Sequence, residues 1–229
     1  MATGMTQGNS KTAKPERTRS KYDAPPITEP RMHLAPHEFF PPHTVRHTPI
    51  ALPPEARHES VEMLQQILVD TIMLYNMYKK HHWQVLGPTF YQLHLLFDKH
   101  AEEQQELIDL LAERIQTLGG VVVAMPHDVA EMTKIARPPQ GAEPPAVQLS
   151  RLLEAHETII REVHEGIELT DKNKDWGTND LLMSDVLRRN ELQVWFISSH
   201  LVDIPLAHDA VDQVPNTGDP EAMATSASS

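Results

Sequence analysis

Four long stretches of the chain repeat apolar residues at three- and four-residue intervals, the period of a helix with one buried face. The first runs from about Glu55 to Val85, directly after Pro53-Pro54. The second runs from about Thr89 to Leu118 and is stopped by Gly119-Gly120, a helix C-terminus signal. The third spans about Ala146–Asp171. The fourth follows the turn Asp175-Trp176-Gly177, with Thr178 as the expected N-cap, and ends near Val202. Between the second and third lie about 27 residues with a short helical pattern at His127–Met132, then Pro138-Pro139 and Pro144-Pro145. Helices joined by short turns pack antiparallel, so one pairs with two and three with four. The long connection then crosses the bundle. The expectation is an all-α four-helix bundle with one long crossover carrying a short helix, flanked by extended N- and C-terminal tails.

Composition sharpens the boundaries. Ten of the 19 prolines fall in residues 15–54, which excludes helix there and disfavours sheet. Residues 1–54 therefore read as a Pro/His-rich extended arm, 55–203 as the bundle, and 204–229 as an acidic, small-residue-rich tail expected to be disordered. Hydrophobic residues make up 40% and aromatic ones only 5%, which suits a Leu/Ile/Met-packed helical core. Cysteine is absent, so disulfides, thiolate metal sites and thiol catalysis drop out. No apolar run approaches the roughly 20 residues of a membrane span, and no apolar signal segment opens the chain. A cytoplasmic protein fits, although the Ser/Thr/Lys/Arg-rich start faintly resembles a transit peptide.

The second helix carries a second pattern. Leu93, Phe97, Leu107, Leu111, Ile115 and Leu118 fall in one sector about 80° wide. His94, Asp98, Glu102, Gln105, Asp109 and Glu113 fall in another, about 100° wide and well separated from the first. Within the pairs His94/Asp98 and Asp109/Glu113, the i,i+4 spacing sets Cβ atoms roughly 5–6 Å apart, close enough to share a metal. The two pairs are about 22 Å apart along the axis, too far for one ion. Two copies packed antiparallel about a twofold axis bring the first pair of one against the second pair of the other, giving two equivalent sites per dimer. His82 lies five turns beyond Leu64 on the face shared with Leu68, Thr71, Tyr75 and Tyr78, and the Leu86-Gly87-Pro88 turn returns the chain toward His94. Two imidazoles and three carboxylates suit Fe(II), Mn(II) or Zn(II). An i,i+4 His/Asp pair alone is usually a solvated surface, and a single His on an apolar face is usually a core residue. The joint placement of all five around one turn favours a site.

The string His82-Trp83-Gln84-Val85-Leu86-Gly87-Pro88-Thr89-Phe90, then Leu93-His94 and Phe97-Asp98, then Asp109 to Gly120, resembles the signature of the Dps family, the miniferritins. The resemblance covers about residues 57–203. It implies a ferritin-like bundle in a hollow shell of twelve subunits, with ferroxidase centres at twofold interfaces. His82, His94 and Asp98 would come from one chain and Asp109 and Glu113 from its neighbour. It further implies oxidation of Fe(II) by hydrogen peroxide or dioxygen, storage of the ferric mineral, and protection against oxidative damage. Trp83 matches the family's aromatic that surrenders an electron; packing is the alternative reading. Ordinary ferritins build their site inside one bundle from Glu-x-x-His pairs. Here the only such pair is Glu55 to His58, at the edge of the first helix.

Asp171, Asp175 and Asp180 surround the start of the fourth helix, where family shells have acidic threefold pores. Trp176 and Gly177 stand where many members have another Asp, and acids favoured by the helix dipole are the plainer reading. Of the net charge of −12, residues 1–22 carry about +4 through Lys11, Lys14, Arg17, Arg19 and Lys21 against Glu16. Such an arm can grip DNA, multiplied over twelve copies, while the acidic body opposes it. His33, His37, His43 and His47 form a further metal candidate in a segment that is otherwise simply solvated. The competing functional reading is a DNA-binding nucleoid protein whose metal site is weak or holds zinc. A plain helical assembly module is the third.

Overall fold

The structure is a computed structural model that describes residues 38–202. The chain divides into two units, Met1–Phe39 and Phe40–Ser229. Only residues 38 and 39 of the first are described, so the account below concerns the second. Lys11, Lys14, Arg17, Arg19, Lys21, His33, His37 and the tail from Asp203 lie outside the described residues.

Four bundle helices enclose one core. Helix α1 (Pro54–Gln84) opens with proline in its first turn, where the missing N–H has no intrahelical role. Helix α2 (Phe90–Thr117) follows a turn in which Gly87 takes φ +103°, a conformation that side-chain-bearing residues avoid. A short helix, α3 (Pro126–Met132), interrupts the crossover, and α4 (Pro145–Asn173) is the third bundle helix. The fourth is built from α5 (Trp176–Asp180), a π-helical stretch (Leu181–Leu187) and α6 (Arg188–Ser199). Among the described residues there is no strand.

Helix directions follow from which ends meet. Arg57 near the start of α1 donates to the Leu118 carbonyl at 3.2 Å, whereas Lys79 near its end reaches Asp98 on α2. Ser60 of α1 donates to Asp175 just past α4, whereas Tyr78 meets His156 in its first half. Helix α1 is thus antiparallel to both α2 and α4. Every apolar residue assigned to the buried stripe of α2, from Leu93 to Leu118, is excluded from water, together with Leu64, Leu68, Leu152, Ile159, Val163, Leu182 and Ile197. Burying a side chain of this size contributes about 1.5–3 kcal/mol, and this apolar surface is the main force closing the bundle.

The crossover is fastened by polar contacts. Gln65 on α1 exchanges two hydrogen bonds with the main chain of Val123, at 2.6 and 3.0 Å. Buried Asp70 accepts from Thr133, from the Lys134 amide and from Gln66. Arg151 forks onto Glu143 at 2.7 and 2.8 Å. Residues 40–53, expected with the arm, contact this chain's own helix ends. The Arg46 amide donates to Gly119 at 2.8 Å, and a Cβ on Gly119 would lie 2.3 Å from the Arg46 carbonyl oxygen. Gly119 therefore stops α2 with φ +93° and also lets this segment pass.

One boundary moves. The fourth helix is capped by Asp175, not Thr178: the Asp175 carboxylate accepts from the Thr178 amide at 3.2 Å and from its hydroxyl at 2.6 Å. The Asp-Trp-Gly segment read as a turn is the cap and the first two helical positions. An aspartate three residues before the amide it accepts from is the geometry of an N-cap.

Candidate metal centre

His82 ends α1 and His94 lies in the first turns of α2, so the Gly87 turn faces the two rings toward each other. Their ring centroids are 3.8 Å apart, tilted by only 19°. Each imidazole Nδ1 lies 2.8 Å from the other residue's main-chain carbonyl oxygen. A carbonyl only accepts, so each Nδ1 carries the proton and donates it. Both Nε2 atoms are left with their lone pairs, as a metal requires of neutral histidine. The His82 Nε2 is 3.9 Å from Asp98 Oδ1, and the His82 side chain is only 12% exposed. The local fold thus orients both rings without using the atoms that would ligate.

A residue that sequence reasoning missed occupies the remaining corner. Lys79, one turn before Trp83, places its ammonium 2.5 Å from Asp98 Oδ1 and 5.8 Å from the Trp83 ring centroid. The hydrogen bond from Lys79 holds the Asp98 carboxyl below its ordinary range, aided by the nearby His82 and His94 and opposed by partial burial. Trp83 itself is 71% exposed, which removes core packing within this chain as its role. The signal for Lys79 was its i,i+4 relation to Trp83.

Asp109 and Glu113 lie on the same helix face as His94 and Asp98, exposed, with no side-chain hydrogen bond or ion pair to another described residue. Asp109 borders an open groove with Glu102, Gln105, Glu106, Ile108 and Ala112. Fifteen residues of straight helix keep it about 22 Å from His94. Among the described residues of one chain, no three His, Asp or Glu groups converge in a metal-holding arrangement. The five predicted ligands therefore form two half-sets on one surface, His82/His94/Asp98 and Asp109/Glu113.

The remaining candidates separate. Asp175 is 2% exposed; besides capping its helix it accepts from Arg114 at 2.6 Å and Ser60 at 2.8 Å. Its carboxylate is committed inside the bundle, so it is corrected from pore acid to structural acid. Asp171 and Asp180 are exposed, and Asp180 accepts from Ser184 at 2.9 Å. His43 bonds Glu62 at 2.8 Å while His47 is exposed. Glu55 and His58 sit on the exterior. Inside the bundle, buried Tyr78, His100, Gln104, His156, Asn190 and Gln193 bond one another. Periodicity gave no warning of that polar interior, because it registers these positions only as inward-facing.

The comparisons identify the fold and the family. A ferritin-like domain family model matches residues 61–207. The structure of DpsC from Streptomyces coelicolor is 54% identical, with a TM-score of 0.73, and the match covers 74% of this chain and 99% of that one. A DNA protection during starvation protein of Halobacterium salinarum is 31% identical over 56% of this chain and 71% of its own length. Dps from Thermosynechococcus elongatus is 30% identical, with a TM-score of 0.62, over 66% of this chain and 94% of that one. No helix among the described residues is long and apolar enough to cross a membrane. An all-helical bundle with the His82–His94 clasp at its first turn, matched over its length by such relatives, places this chain in the Dps family of ferritin-like proteins.

Proposed function

We propose that the protein is an iron-oxidising and iron-storing miniferritin whose centres form between subunits. The observation that carries this is the reciprocal clasp of His82 and His94, which keeps both Nε2 atoms out of the ring-to-carbonyl hydrogen bonds and sets that of His82 3.9 Å from Asp98 Oδ1. Asp109 and Glu113 of a neighbouring copy complete the set across a twofold axis, and six such pairs joined through a separate threefold contact close a shell of twelve. Nitrogen and carboxylate donors without thiolate fit Fe(II), and carboxylates favour the ferric product. Zn(II) and Mn(II) suit the same donors.

In this reading Fe(II) is the substrate. Asp98 and Glu113 hold or bridge two Fe(II) ions, and His82, His94 and Asp109 complete their coordination. Each ion gives one electron to hydrogen peroxide; the O–O bond breaks, two protons are taken up, and two waters and two Fe(III) result. Paired delivery avoids the one-electron cleavage that releases hydroxyl radical. Dioxygen is the alternative acceptor. Trp83, exposed beside Lys79, is placed to supply an electron when delivery is incomplete. Asp171 and Asp180 line the entry path for iron, and a cytoplasmic location suits the chemistry.

Complementation between variants tests the shared site. One variant carries His82→Ala and His94→Ala, the other Asp109→Ala and Glu113→Ala, and both are co-assembled after particle mass is measured. Each alone should oxidise Fe(II) at the background rate. A mixed pair restores one intact site in two, so the mixture should recover up to about a quarter of wild-type rate. No recovery in verified mixed particles, or full activity in either variant, would sink the proposal. The DNA-binding reading rests on Lys11, Lys14, Arg17, Arg19 and Lys21. A gel-shift titration with and without residues 1–22 decides it.

A further inference from the structure

We infer that Tyr78 is a buried one-electron donor to the metal centre, and that His156 takes its proton when it is oxidised. This rests on the ferroxidase reading for its electron acceptor, but the pair itself is defined by hydrogen bonds within one chain.

The donor and acceptor directions follow from the network. The Asn190 amide nitrogen donates to the Val186 carbonyl at 2.7 Å, so its oxygen is the end that faces His156. The His156 Nδ1, 2.8 Å from that oxygen, must therefore carry a proton. Its Nε2 is left as an acceptor, 2.5 Å from the Tyr78 hydroxyl. His100 Nδ1 lies 3.2 Å from the same phenol oxygen and donates to it. Gln104 donates to the Asn190 oxygen and to Gln193, and Gln193 donates to the Glu103 carboxylate at 2.7 Å. The phenol thus has one proton acceptor, one donor and a carboxylate at the edge of the network.

This arrangement suits oxidation coupled to proton transfer. Burial and the Glu103 charge push the phenol's own pKa well up, so a phenolate does not form beforehand. Burial brings His156 down to about 3, so it waits unprotonated. Removing an electron makes the phenol a far stronger acid, and the proton crosses one hydrogen bond to Nε2. The new imidazolium stays bonded to Asn190. His100 then donates to the phenoxyl oxygen. Tyr78 is fully buried, which shields the radical from water. It also lies one helical turn before His82, about 5–6 Å between Cβ atoms, with Phe97 beside it at 6.1 Å between ring centroids.

The occasion is a centre holding a single Fe(II). Peroxide then takes one electron from iron, giving Fe(III), hydroxide and a hydroxyl radical. An electron from Tyr78 and a proton from solvent convert that radical to water. Tyr78 ends as a neutral phenoxyl radical, with its former proton on His156.

Freeze-quench paramagnetic resonance on the assembled full chain, loaded with less than one Fe(II) per centre and given peroxide, tests this. A tyrosyl signal should appear, narrow on ring-deuteration of tyrosine, and fall at least tenfold in Tyr78→Phe. Ring-deuterated wild-type protein provides the hyperfine pattern if that variant folds poorly. An iron-free arm uses flash-generated ruthenium(III) tris-bipyridine as oxidant, where His156→Leu should slow Tyr78 oxidation at least tenfold. Fast iron oxidation with no tyrosyl radical, or a signal that survives in Tyr78→Phe, overturns the inference. If iron is not oxidised at all, the ferroxidase reading fails instead. The flash arm alone then decides whether Tyr78 and His156 act as a redox pair.

Discussion

The Lys79 ammonium lies 2.5 Å from the Asp98 carboxylate, so in the proposed reading a metal ion entering there meets a cation already in place. Asp98 is 38% exposed and Lys79 25%, so the pair is worth only about 0.2–1 kcal/mol. Replacing Lys79 with Gln should tighten anaerobic Co(II) binding by up to about fivefold. Calorimetric titration at two salt concentrations measures it. Unchanged affinity at low salt would show that Lys79 does not compete.

The His82–His94 clasp gives a sharper expectation. His94→Phe keeps the stacked ring but removes a proposed ligand and a donor to the His82 carbonyl. Metal affinity should fall at least about 10–100-fold, the loss seen when only a supporting partner is removed. The fold should lose roughly 1 kcal/mol for the missing hydrogen bond. Thermal melting separates this modest loss from the large binding defect.

Asp175 and Asp180 should behave oppositely. Asp175→Ala strips the partner from Arg114 and Ser60 and removes a helix cap at a site 2% exposed, so it should cost about 3–5 kcal/mol. Asp180→Ala, on an exposed carboxylate, should leave melting within about 0.5 kcal/mol of wild type while slowing iron uptake. Denaturant unfolding and uptake kinetics on both variants check the pair.

Acid should weaken the bundle through its buried imidazoles. Burial holds His100 near 4 and His156 near 3, against an ordinary value of 6.5. Both stay neutral in the fold while the unfolded chain protonates them. Their contribution is complete above about pH 6.5 and is lost as pH falls toward those values, at about 1.4 kcal/mol per unit for each. His156→Gln should flatten the dependence of melting temperature on pH in that window.

Glu162 works in the other direction. Burial pushes its carboxyl up to about 7, against the pull of Lys134 at 2.8 Å. The fold favours its protonated form, so stability is fullest below 4.5 and falls as pH rises through about 7. Glu162→Gln should raise the melting temperature near pH 8 and change it little near pH 4. The two slopes oppose each other between, so each is read from its own variant.

Much of this was legible along the chain. The apolar stripe of α2 and its separate stripe of His94, Asp98, Asp109 and Glu113 follow from a period of 3.6 residues, which fixes direction around an axis without any packing information. Gly87 and Gly119 marked the two turns because only a residue without a Cβ takes positive φ cheaply. The faces of the proposed ligands were readable for the same reason: all but His82 lie on one helix. Tertiary structure alone decided the rest. Which ring nitrogen of His82 and His94 is free depends on carbonyls brought close by the turn, and Lys79 meets Asp98 only once α1 and α2 fold together. Asp175 ceased to be a surface acid because α1 and α2 deliver Ser60 and Arg114 to it. The Tyr78–His156–Asn190 chain draws one residue from each of three helices. Periodicity tells a residue which way to face, whereas hydrogen bonding depends on what stands opposite, and that is set only when the helices pack.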